Sequence, residues 1–178
     1  MSRTKSQNWV SLNSYHKGDK DFLEVRPDIF DFSREVVSMS DLKIDTAFYV
    51  KCISALERAF EMLNASQAES IEFELYRSAT IKEYEIILEQ SGKLLKKRLR
   101  PFFHSNKAAD ELYFKDIFRH AALHGLITAE EAERWLQYRD NRNSTSHDYG
   151  EKLANTTLLL IPKFIVDAKR LAKVIDAA

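Results

Sequence analysis

Along most of this chain apolar side chains return every three or four positions, with polar ones filling the gaps. Between 45 and 63, Phe48, Tyr49, Cys52, Ile53, Leu56, Phe60 and Leu63 form one stripe, which predicts an amphipathic helix buried on one side. A longer stripe through Ile81, Tyr84, Ile87, Leu88, Leu94 and Leu95 predicts a second helix over 70–100. Pro101 should end it, since a proline ring disfavours helical backbone in the residue before it. A third helix is expected over 108–123, stopping at Gly125, a residue suited to the left-handed conformation just past a helix end. Thr128 with Glu131 three residues on predicts a capping box, so a fourth helix should start near Ala129. Its inward stripe is Ala132, Trp135, Leu136 and Tyr138, and Arg139 and Arg142 follow at helical spacing. A last helix over 151–176 buries Leu158, Ile161, Ile165, Ala168, Leu171, Ala172 and Ile175, and Pro162 should kink it. No useful length alternates as a strand does, so the predicted fold is all-α, an antiparallel bundle of about five helices.

Residues 1–38 break this pattern. They carry Gly18, Pro27 and many polar groups, and read as an extension outside a helical domain spanning 39–178. Phe22, Leu23, Ile29, Phe30 and Phe32 make the extension too apolar for a wholly disordered tail, so part of it should pack on the domain or a partner.

Composition narrows the function. The 178 residues suffice for one domain with a core. With 27 basic and 27 acidic residues the formal charge is zero, so any contact with nucleic acid must be local. The single cysteine, Cys52, sits among apolar neighbours and reads as a buried small hydrophobe, in keeping with a reducing compartment. Neither a secretory signal nor a run of about 18 apolar residues is present, so no membrane association is expected and the expected location is the cytoplasm.

The chemistry concentrates in 135–149. From Asn141 to Ser146 short polar side chains compete for backbone hydrogen bonds, so the fourth helix should fray or stop there. On a continuous helix, residues five apart point about 140° away from each other, which would separate Arg142 from His147. A turn after Asn143 would bring the imidazole back towards the guanidinium, with room for a phosphate between a charged fork and a group titrating near neutrality. In the plainer reading Arg142 caps the helix and His147 is an ordinary loop residue. Lys93, Lys96, Lys97, Arg98 and Arg100 close the second helix, either as a solvated face complementing the helix dipole or as a phosphate-tracking surface beside Arg142. His120 and His124 lie one helical turn apart, but no glutamate, cysteine or carboxylate cluster completes a metal set, so no metal and no cofactor is expected.

The order Arg142-Asn143, then His147, then Tyr149, just after a Trp-bearing helix, resembles the HEPN family, small helical proteins encoded beside minimal nucleotidyltransferases. Tyr84, Glu85, Glu89, Lys93, Leu95 and Lys96 look like that family's second helix, and Phe118, Arg119, Ala121, Gly125, Leu126 and Ile127 like its third helix and turn. Gly92 departs from the tryptophan that the family often carries. The resemblance implies a homodimer with a four-helix core, in which two copies of 142–147 form a composite cleft. It also implies a metal-independent endoribonuclease acting as the toxin of a toxin–antitoxin pair. In that role His147 moves protons, Arg142 stabilises the transition state, Asn143 orients, and Lys93, Lys96, Lys97 and Arg139 hold RNA phosphates. The partner nucleotidyltransferase would silence it by transferring AMP to Tyr149. An alternative reading is a non-catalytic subunit that binds nucleotide or substrate for a nucleotidyltransferase. A third is a helical dimerisation module whose polar motif is a satisfied interface network.

Overall fold

The computed structural model describes residues 44–145 and 151–177; the extension 1–38 lies outside them. Among the described residues six α-helices follow one another, α1 (Ala47–Ala65), α2 (Ile71–Leu99), α3 (Asn106–Asp110), α4 (Phe114–Leu123), α5 (Ala129–Thr145) and α6 (Glu151–Asp176). No strand occurs among the described residues, and no described helix is long and apolar enough to cross a membrane.

Each boundary has a local cause. Ser70 accepts from the Phe73 amide and caps α2, which stops at Leu99 before a short 3-10 turn containing Pro101. Gly125 takes φ 70 just past α4, where Leu126 N donates to the Ala121 carbonyl at 2.9 Å and seals the helix end. The helix expected over 108–123 is two helices. Lys96 Nζ donates to the Asp110 carbonyl at 2.8 Å, Leu112 N donates to the Ala109 carbonyl, and Tyr113 is extended. These contacts end α3 after one turn and re-aim the chain so that Ile117, Phe118 and Ala121 of α4 reach the core.

Helix α2 is the axis of the bundle and packs against α1, α4, α5 and α6. The short 66–70 connection folds α2 back along α1. The largest fully buried side chains, Trp135, Tyr49, Tyr84, Phe118 and Phe164, come from five different helices, so the core is shared by all the long elements. Cys52 is buried and unbridged on α1.

Candidate functional site

Helix α5 carries the arginines of the motif, and contacts along its whole length set its pose. At its start the capping box forms in full: Thr128 N donates to Glu131 Oε2 at 2.7 Å and Glu131 N donates to Thr128 Oγ1 at 3.2 Å. The outer oxygen of Glu131 also takes Arg170 of α6 at 2.7 Å. In mid-helix, Trp135 stacks on Phe118 with ring centroids 5.0 Å apart and meets Phe164 edge-on at 5.5 Å. Arg134 grips Asp167 of α6 with two bonds of 2.7 and 2.9 Å, and Tyr138 Oη donates to the same carboxylate at 2.9 Å. Burial pushes the Asp167 carboxyl up, but the bonds from Arg134 and Tyr138 outweigh it and hold the group below the usual aspartate value.

The far end of α5 is held as firmly. Tyr84 Oη donates to the Tyr138 carbonyl at 2.7 Å, and Asn141 Nδ2 donates to Thr157 Oγ1 of α6 at 2.8 Å. Burial pushes the Tyr84 hydroxyl up to about 12, so it remains a donor throughout the neutral range. Asn141 uses its amide on α6 instead of competing for its own backbone, and the helix runs on through Asn143 to Thr145. The turn that the sequence places after Asn143 therefore starts no earlier than two residues later. His147 and Tyr149 lie outside the described residues.

Arg142 is half-buried in the last turn of α5, its Nε 4.0 Å from Glu85 Oε1 on α2. One turn back, the Arg139 guanidinium sits over the Phe114 ring at 5.1 Å. Both arginines act on Glu89 of α2, which pairs with Lys93 at 2.6 Å. The hydrogen bond and charge of Lys93, and then the charges of Arg142 and Arg139, hold the Glu89 carboxyl below its ordinary value. Glu89 is thus an exposed carboxylate paired with Lys93, and the charges of two arginines on α5 also bear on it. A cleft of about 490 Å³ between α2 and the α3–α4 segment is lined by Lys93, Lys96, Lys97 and Arg139. Four of the residues singled out as phosphate ligands are therefore brought together. Asn143 is exposed at the end of α5.

One expectation changes. Arg98 does not join the basic surface, because it is buried and donates to the Ala177 carbonyl, tying α2 to the end of α6. His120 and His124 are packing residues: His120 meets Phe103 edge-on at 5.0 Å and His124 stacks on Phe102 at 4.2 Å. Burial holds both imidazoles below their ordinary value. No cluster able to hold a metal occurs among the described residues.

Sequence reasoning missed three members of the site. Glu89 as a carboxylate in the cleft was legible only as an i, i+4 partner of Lys93. Asn141 read as a helix breaker, whereas α6 makes it a cross-link. Phe114 was not singled out, yet it supports Arg139, a relation that needs α4 and α5 side by side.

Comparison with known proteins bears on the family and the fold. The family described as nucleotidyltransferase substrate binding protein like matches residues 46–177. A Haemophilus influenzae protein named probable ribonuclease HepT is 32% identical over 91 residues, which spans 51% of this chain and only 61% of that relative's length. A solved H. influenzae structure, described as revealing the fold of a substrate binding domain of a nucleotidyltransferase, superposes with a TM-score of 0.63 at 24% identity, covering 74% of this chain and 98% of the other. A Thermus thermophilus crystal structure superposes with a TM-score of 0.58 at 24% identity, covering 71% of this chain and 98% of that one. At that identity both structures speak for the fold alone. The family match takes in nearly the whole bundle, from the start of α1 to the end of α6, and the chain belongs to the HEPN / nucleotidyltransferase substrate binding protein like family.

Proposed function

We propose that this protein is a metal-independent endoribonuclease, the toxin of a toxin–antitoxin pair, working as a homodimer. The cleft that gathers Lys93, Lys96, Lys97 and Arg139 carries this reading, because basic side chains from two helices lining one cleft are suited to an RNA phosphate. The likeness to a probable ribonuclease supports it. The ribose 2′-hydroxyl loses its proton to a base and attacks its own phosphorus. The bond from phosphorus to the 5′-oxygen breaks, and that oxygen leaves with a proton from an acid. His147 supplies one of these proton transfers, since its ordinary pKa lies near working pH, and the partner copy's motif supplies the other. Arg142 neutralises the charge of the pentacoordinate transition state, and Asn143 orients the imidazole or a phosphate oxygen. A minimal nucleotidyltransferase silences the enzyme by moving AMP onto Tyr149, which sets a bulky anion two residues from His147 and repels RNA.

A second reading, a non-catalytic subunit that binds nucleotide or substrate for a nucleotidyltransferase, is favoured by the family description and draws on the same cleft. It needs Arg142 and the lysines but not the titration of His147. Cleavage of transfer and messenger RNA in excess EDTA separates the two, comparing wild type, His147→Ala and Arg142→Ala after each is checked to be a folded dimer. Loss of cleavage in both variants is expected. If wild type that mass spectrometry finds free of AMP cuts nothing, yet binds nucleotide or a nucleotidyltransferase through Arg142, the binding-subunit reading replaces the nuclease.

A further inference from the structure

Gly92 leaves a notch in α2 that a neighbouring helix fills. A Cβ at this position would lie 3.0 Å from Phe114 Cδ2 and 3.3 Å from its Cε2, so the ring of Phe114 is seated directly against the glycine. The same ring meets Phe118 at 4.7 Å and carries the Arg139 guanidinium over it at 5.1 Å. Backbone of α2, aromatic ring of α4 and guanidinium of α5 therefore stack in order, and the stack lies in the wall of the cleft that Lys93, Lys96 and Lys97 also line.

At the rim of this cleft stands Tyr113, 81% exposed. It precedes α4 in extended conformation, and its side chain makes no capping hydrogen bond. A tyrosine ring so exposed buries little for the fold, and beside a cationic cleft it offers a flat face to a second ring. The lining holds five cations and two carboxylates: Lys96 and Arg100 lean on Asp110, Lys93 pairs with Glu89, and Lys97 is exposed. In a chain of zero net charge this is a local positive site of the kind that single-stranded nucleic acid and nucleotides use, an aromatic platform beside basic side chains.

We propose that this cleft is a nucleotide subsite, in which one nucleoside phosphate unit lays its base on Tyr113 and sets its phosphate among Lys93, Lys97 and Arg139. Phe114, seated because residue 92 is glycine, is the positioning residue that aims Arg139 into the cleft. The unit is either a residue of single-stranded RNA or a free nucleotide, since both present one base and one phosphate. The inference rests on the ribonuclease reading only for where a scissile phosphate would fall, near Arg142 one turn along α5.

Binding of a fluorescent 2′-O-methyl oligoribonucleotide, which has no free 2′-hydroxyl to attack, tests this with the full chain, alongside competition by AMP. Tyr113→Leu should weaken binding roughly tenfold, the loss of one base–aromatic stack, while Tyr113→Phe keeps it. Gly92→Leu should weaken it as well without removing a charge, and circular dichroism and melting confirm which variants fold. AMP that displaces the oligonucleotide in a Tyr113-dependent way identifies the free nucleotide as a ligand; Tyr113-dependent oligonucleotide binding that AMP leaves untouched identifies RNA. Equal affinity of wild type and Tyr113→Leu for both probes, or no binding of either probe by wild type, overturns the subsite. Tyr113-dependent binding by a protein that cuts no RNA supports the subsite and counts only against the nuclease. Cleavage that persists with Tyr113-independent binding does the reverse.

Discussion

Asn141 Nδ2 of α5 donates to Thr157 Oγ1 of α6 at 2.8 Å, and this bond joins the two helices on either side of the segment that holds His147 and Tyr149. Thr157 is buried at 1% exposure, so its hydroxyl sits where water cannot replace the amide. Asn141→Ala should cost about 1 kcal/mol, the worth of one such hydrogen bond, measured by urea unfolding. It should lower RNA cleavage more than this loss accounts for, because Arg142 follows Asn141 directly. Unchanged turnover in a folded Asn141→Ala protein would show that the link does not position the motif.

Arg142 is the cation whose geometry matters beyond its charge. Arg142→Lys keeps the charge but loses the planar fork, and should reduce kcat/KM for RNA by roughly 10²-fold or more while leaving the melting temperature nearly unchanged. Full activity in the lysine variant would reduce Arg142 to a general electrostatic contribution.

Glu89 lines the cleft and pairs there with Lys93. Glu89→Gln removes the competing anion, and oligonucleotide affinity should rise about severalfold, most visibly at low salt. Weaker binding in Glu89→Gln would mean that the carboxylate organises Lys93 and Arg139 more than it competes with phosphate.

Stability should fall in two steps as pH drops. Burial keeps His120 and His124 below the ordinary 6.5, so the unfolded chain binds protons that the folded chain refuses. Their contribution is complete above 6.5 and is lost as pH falls from there through their lower folded values. The Asp167 carboxyl, held below 3.8, gives a second loss only in more acid solution. Melting temperatures taken at about pH 8 and about pH 5 should differ, and His124→Phe, which keeps a ring against Phe102, should shrink the difference. An undiminished difference in that variant would place the sensitivity elsewhere.

The Arg134–Asp167–Tyr138 group lets one partner be removed at a time. Asp167 is 3% exposed, and Asp167→Ala leaves a guanidinium and a phenol facing its place, so about 2–4 kcal/mol of stability should be lost. Arg134→Met, which keeps the stem's packing, strands the carboxylate instead and should also destabilise. Equilibrium unfolding of both variants would test this, and a neutral Asp167→Ala would mean the network adds little to the fold.

Local rules made much of this protein legible from its sequence. Apolar spacing determines the long helices because a buried stripe must repeat at the helical period. Thr128 with Glu131, Ser70 and Gly125 determine where helices begin and end, because capping is settled within four residues of chain. The motif around Arg142 is likewise a matter of order and spacing. Tertiary structure decided what spacing cannot carry. It split the third helix, since Lys96 of α2 reaches the end of α3. It turned Arg98 inward while Lys93, Lys96 and Lys97 stayed on the cleft, because only the position of α6 offers Arg98 a carbonyl. It gave Gly92 a purpose through Phe114, and Phe114 one through Arg139. Contacts between helices far apart in sequence depend on how the bundle packs, and a stripe read one helix at a time holds no record of its neighbours.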